Sequence, residues 1–206
     1  MKYLWMPFIL CFCFPAFANS EKFERRGTLL IYNSNIPDDK EISEITQADV
    51  QLFKDYIEDK RFWKKVWTVR LTSKGGNEEA AYKIANLILK YKLDTQVSGM
   101  CASACTDIFI AGKKRRLMKD AQLSFHPHYL PEDYVDHHKR WLKELFPNLD
   151  YMEAVAHNER LSTVSKIARF ASRGIDLEFS LRVLSIHPDE EWVPTRHELE
   201  RYGVSN

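Results

Sequence analysis

The sequence predicts an α/β domain built on a mainly parallel sheet, and three observations carry that expectation. Short β-branched and apolar runs alternate with stretches of helical periodicity in the order strand, helix, strand, helix, strand, which implies right-handed crossovers with helices on the faces of the sheet. The chain has 206 residues, 45% of them hydrophobic and 29% charged, an ordinary balance for one folded domain and too apolar for a disordered chain. No internal repeat, low-complexity tract or linker divides it.

The elements follow in order. Thr28 to Tyr32 (TLLIY) is a strand, and Asn33 to Asp39 (NSNIPDD) has turn chemistry. Thr46 with Asp49 resembles a capping box opening a helix whose Val50, Phe53, Tyr56 and Ile57 share a face. Trp67 to Thr72 (WTVRLT) is the next strand. Gly75-Gly76 leads into a second helix with Ala81, Ile84, Ala85 and Ile88 at helical spacing, and Glu78 and Glu79 in its first turn complement the helix dipole. Thr95 to Val97 is a third strand, and Leu123 to Phe125 is another, ending on His126. Glu132 to Ala171 is mostly helical and broken near Pro147-Asn148. Tyr134, His138, Trp141 and Leu145 line one side of it, which either meets another subunit or closes over the core.

The first eighteen residues differ from the rest. Lys2, the apolar run Tyr3 to Phe14 and Ala16-Phe17-Ala18 make the charged, hydrophobic and cleavage regions of a secretory leader. Met1 to Ala18 is therefore expected to be removed, leaving residues 19–206 as one domain in the periplasm or outside the cell. The whole chain has 30 Lys and Arg against 29 Asp and Glu. Losing the leader removes Lys2 and no acid, so the expected mature domain is neutral, with no electrostatic footprint for nucleic acid. Cys11 and Cys13 leave with the leader. Cys101 and Cys105 remain, close enough across a turn for a disulfide and small enough to be two buried thiols.

In a mainly parallel sheet, sites lie at the carboxyl ends of the strands. Ser73 to Gly76 and Gly99 to Cys105 (GMCASAC) occupy that place. Ser103 between Ala102 and Ala104 suits a tight turn that exposes a hydroxyl, as a nucleophile elbow does. Ser103 as a helix-capping serine is the competing reading. Gly76 and Ala104 each supply an unobstructed backbone N–H of the kind an oxyanion needs, although a glycine pair is also a common turn. His126, His128, His137 and His138 invite a zinc reading, but no HExxH accompanies them, so no metal or cofactor is expected. The basic run Lys113 to Arg116 reads as a solvated turn.

Five pieces stand in register: LTSKGG (Leu71 to Gly76), CASAC (Cys101 to Cys105), AGKKR (Ala111 to Arg115), LSFHP (Leu123 to Pro127) and ELERYGV (Glu198 to Val204). In order and spacing they resemble the Clp protease proteolytic subunit family, and the chain looks like an exported, divergent branch of the Clp-protease/crotonase-like superfamily. The resemblance spans about Thr28 to Val204 and implies a serine peptidase. It places the nucleophile on Ser103, the general base on His126 with His128 in reserve, and the oxyanion donors on the N–H groups of Gly76 and Ala104. Aligning the C-terminal motif without a gap puts the orienting acid on Glu191, with Asp189 as the neighbour that could replace it. Lys74 stands where the family has a proline. A homo-oligomer acting on peptide or protein, without an ATPase partner because an exported protein has no nucleotide supply, is the expected setting. A noncatalytic binding module on the same fold and a crotonase-type thioester enzyme are the competing functions.

Overall fold

The computed structural model describes residues 21–35, 43–60, 64–127 and 135–206. The expected leader, the second half of the turn Asn33 to Asp39, His128, Glu132 and Tyr134 lie outside them. Among the described residues six strands and seven helices follow one another as β1 (Phe23–Arg26), β2 (Leu29–Asn33), α1 (Gln47–Glu58), β3 (Thr68–Ser73), α2 (Glu78–Tyr91), β4 (Asp94–Ala102), α3 (Ala104–Ile110), β5 (Arg115–Leu117), β6 (Gln122–Ser124), α4 (Val135–Leu145), α5 (Tyr151–Ser172), α6 (Leu177–Leu184) and α7 (Arg196–Arg201). The sheet runs β1-β2-β3-β4-β5, with β6 also paired to β4. Every pairing is parallel except the β1–β2 hairpin. The fold is thus the expected α/β one with an antiparallel edge.

Alternation along the strands explains where the core sits. Val69, Leu71 and Ser73 of β3 are buried, while Thr68, Arg70 and Thr72 on the opposite face are half-buried. The buried face meets Ala80, Ala81, Ile84 and Ile88 of α2 and Ile108 and Phe109 of α3 in one cluster. Asn77 caps α2 by accepting from the Ala80 N–H at 2.8 Å.

Four charged side chains among the described residues are buried: Lys22, Asp49, Asp107 and Arg115. Asp49, 2% exposed, accepts from Lys22 Nζ at 2.9 Å, the Tyr32 hydroxyl at 2.8 Å and the Thr46 N–H at 2.8 Å, so it ties the hairpin to the start of α1. Asp49→Ala strands the Lys22 ammonium in the interior, and a loss of about 3–5 kcal/mol is expected in urea unfolding. A loss below about 1 kcal/mol would show that Lys22 finds water instead.

Arg115 corrects the reading of Lys113 to Arg116 as a solvated turn. Its guanidinium is buried and donates to the carbonyls of Val204 at 2.9 Å, Gly203 at 2.8 Å, Arg173 at 3.1 Å and Gly112 at 3.2 Å. Its N–H donates to Asn206 Oδ1 at 2.7 Å, and its carbonyl accepts from the Asn206 N–H at 2.8 Å. Burial, with Arg173 beside it, pushes the guanidinium down to about 10, still charged at neutral pH. Among the described residues no helix is long and apolar enough to cross a membrane.

Candidate active site

Ser103 lies between β4 and α3 with φ 52° and ψ −128°, a backbone conformation that few non-glycine residues adopt. Three contacts hold it. Its N–H donates to the Ser124 carbonyl of β6 at 3.1 Å, and its own carbonyl accepts from the Thr106 N–H at 2.9 Å and the Thr106 hydroxyl at 2.7 Å. Cys101 and Cys105 are joined by a disulfide, with Cα atoms 5.3 Å apart, so the last turn of the strand is tied to the first turn of the helix on either side of the serine. Ser103 occupies the helix-capping position, yet its side chain makes no capping hydrogen bond. The hydroxyl instead lines a small cavity of about 50 Å³ with Gly76, Ala104 and His126.

The glycine loop is pinned from its far side. Ile45 N–H donates to the Gly75 carbonyl at 2.8 Å, and the Asn77 N–H donates to the Ile45 carbonyl at 2.8 Å. In this parallel bridge the Gly76 N–H points away from Ile45 and has no acceptor among the described residues. The Ala104 N–H, first of α3, has none there either. Gly75 must be glycine, because a Cβ there would stand 2.7 Å from the Ser103 Cβ. Two unused donors therefore belong to residues that line the same cavity as the serine.

His126 follows β6 and is exposed. Phe125 forms an antiparallel bridge with Trp192, the two N–H···O bonds being 2.9 and 2.8 Å, and Phe179 of α6 contacts both rings. The imidazole Nδ1 lies 2.8 Å from the Pro127 carbonyl. A carbonyl can only accept, so Nδ1 carries the proton and Nε2 is left with its lone pair.

Glu191 is brought to the His126 segment by that bridge, but its carboxylate accepts a hydrogen bond from the Ser124 hydroxyl. The imidazole proton is already taken by Pro127. Asp189 is exposed and lies 3.6 Å from His187. Glu191→Gln retains an oxygen for Ser124, so acylation of Ser103 is expected to change less than about tenfold, against the ~10⁴ loss typical of neutralising a triad carboxylate. A loss beyond about 10²-fold would show that the Glu191 carboxylate, and not the Pro127 carbonyl, orients the ring.

A larger groove of about 610 Å³ adjoins the small cavity, sharing Glu78, His126, Lys166 and Val183 with it. Trp141 of α4 and Glu159 of α5 line its outer part. His138 is buried against Tyr151 and Trp141, not on the surface. Among the described residues no three His, Cys, Asp or Glu converge to hold a metal ion.

Sequence reasoning missed Asp107. It sits one turn beyond Ser103 in α3, is 6% exposed and lines the small cavity. Burial lifts its carboxyl above the usual carboxylate range, opposed by the positive charges of Lys166 and Arg169. Its folded form thus binds a proton more tightly than the unfolded chain, so this group lowers stability as pH rises from the unfolded value near 4 through the folded one. Asp107→Asn is expected to raise the urea midpoint more at pH 7 than at pH 4. An equal shift at both values would mean that the carboxyl is not desolvated.

The α/β fold, a mainly parallel sheet flanked by helices, is ClpP-like. It is similar to the solved structure of a ClpP1 mutant from Listeria monocytogenes, with a TM-score of 0.53 and 19% sequence identity over 79% of this chain and 85% of that one. No protein-family model matches the sequence. No curated protein matches it significantly either.

Proposed function

We propose that the protein is a serine hydrolase, a peptidase, that acylates Ser103 with His126 as general base. The observation that carries this reading is the strained Ser103 backbone, whose hydroxyl forgoes the capping bond its position offers and faces a cavity shared with His126 and two unused N–H groups. Nε2 of His126 takes the hydroxyl proton as Oγ attacks the scissile carbonyl. The carbonyl oxygen becomes an oxyanion between the Gly76 and Ala104 N–H groups, the imidazolium returns the proton to the leaving amine, and water then cleaves the acyl-enzyme.

The setting belongs to the same reading. The leader-like segment supports export to the periplasm or beyond, and an exported enzyme of this kind works without ATP. The ClpP-like fold supports a homo-oligomer and a peptide or protein substrate. A fluorophosphonate probe on the purified protein tests the core of the proposal. Labelling is expected to map to the peptide carrying Ser103 and to vanish in Ser103→Ala; absence of labelling in the folded wild type would leave a binding module on a hydrolase fold.

A further inference from the structure

The small cavity beside Ser103 ends on a charged group that the acyl-transfer scheme does not use. Asp107 belongs to a helix whose seven residues are all buried, and its side chain accepts no hydrogen bond and forms no ion pair among the described residues. Its charged surroundings are Lys166 and Glu78, which line the same cavity, and Arg169, whose guanidinium lies 3.8 Å over the Tyr82 ring. A nearly buried carboxyl that borders the cavity and accepts no hydrogen bond is poorly compensated, and an occupant that brings a donor improves it.

Shape and charge narrow the occupant. About 50 Å³ holds roughly three or four water-sized groups, which suits an ammonium with its last methylenes better than a planar guanidinium. The peptide that carries such a side chain has an approach to Ser103, since the cavity adjoins the 610 Å³ groove through Glu78, His126, Lys166 and Val183. Along that groove Glu79 is paired with Lys83 at 2.8 Å, while Glu159 has no partner among the described residues. Among the described residues Lys166 is the only Lys or Arg lining either space, against Glu78, Glu79, Asp107 and Glu159.

We propose that this cavity receives the side chain on the acyl side of the scissile bond and that Asp107 selects lysine there, so that the substrates are peptides cut after lysine. The assignment of the scissile bond rests on the hydrolase reading; the preference for an ammonium rests on Asp107 alone.

Binding separates the two. Short fluorescein-labelled peptides that differ only in lysine, norleucine or Nε-acetyl-lysine at one position would be titrated into the Ser103→Ala protein and followed by anisotropy. The lysine peptide is expected to bind at least about tenfold tighter than either neutral peptide, as one charge-assisted hydrogen bond implies. Adding Asp107→Asn is expected to bring the three affinities together by weakening the lysine peptide only. Equal affinities for the three peptides on Ser103→Ala overturn the proposal without any need for the second variant, and so does a lysine preference that survives Asp107→Asn. Lysine preference without fluorophosphonate labelling of the wild type would sink the hydrolase reading alone, and labelling without preference would sink this one alone.

Discussion

His126→Ala is expected to slow acylation of Ser103 by about 10³-fold, within the range that a positioned general base supplies. The reason is the division of labour between the two ring nitrogens: Nδ1 is held by the Pro127 carbonyl at 2.8 Å, and Nε2 keeps its lone pair on a residue that lines the Ser103 cavity. The ring is exposed and borders the larger groove, so its removal leaves a space that solvent and small solutes reach. Added imidazole is therefore expected to restore part of the rate in His126→Ala and to do nothing in Ser103→Ala. His128→Ala should leave the rate near that of the wild type. Unchanged labelling in His126→Ala, or a large loss in His128→Ala, would move the base from one histidine to the other.

Gly76→Ala is the second large effect. The added Cβ would meet the Ile45 N at 2.4 Å and the Ile45 carbonyl oxygen at 2.7 Å, both backbone atoms that cannot swing aside, and φ of 132° is closed to alanine without strain. The loop must move away from Ile45 and carry its N–H with it. Losing one oxyanion donor costs about 10²–10³ in rate, and that is the expected loss of acylation, with KM for a small ester little changed because the donor acts on the charge that develops in the transition state. Gly27→Ala is the control: Gly27 also has positive φ, but its Cβ would meet nothing within 4 Å. It is expected to lower stability and leave acylation of the folded protein alone. Equal acylation in Gly76→Ala and wild type would remove Gly76 from the oxyanion site.

Local signals found the parts of this site that local chemistry determines. The capping position of Thr46, the acids of the first turn of α2 and the glycine pair are each fixed by backbone groups within a few residues, and they were legible. β4 was harder: Thr95 to Val97 announces a strand, but pairing with β3 and β6 extends it through Ser98, Gly99 and Met100, which alone have no strand character. β1 (FERR) and β5 (RRL) carry edge-like charge that hides them from an apolar pattern. Asp107 did leave a signal, a carboxylate in the apolar run ACTDIFI, although its place in the cavity depends on α5 and α6 bringing Lys166 and Val183 to the same spot. Alignment by motif led to Glu191, on the segment that bridges to Phe125 through Trp192. It gave no information on which way the side chain turns, since a rotamer decides between Ser124 and His126.

The Arg115 cradle has a bearing on how the molecule comes into being. Protein synthesis delivers β5 nearly ninety residues ahead of Gly203 and Val204, and until those carbonyls arrive the guanidinium has only Gly112 and Arg173 to accept its protons. A nascent chain therefore holds an incompletely compensated cation at the edge of its sheet, and the free energy of water opposes closing that edge around it. Docking of residues 203–206 removes the opposition. The cradle in this way couples burial of Arg115 at the sheet edge to the docking of residues 203–206.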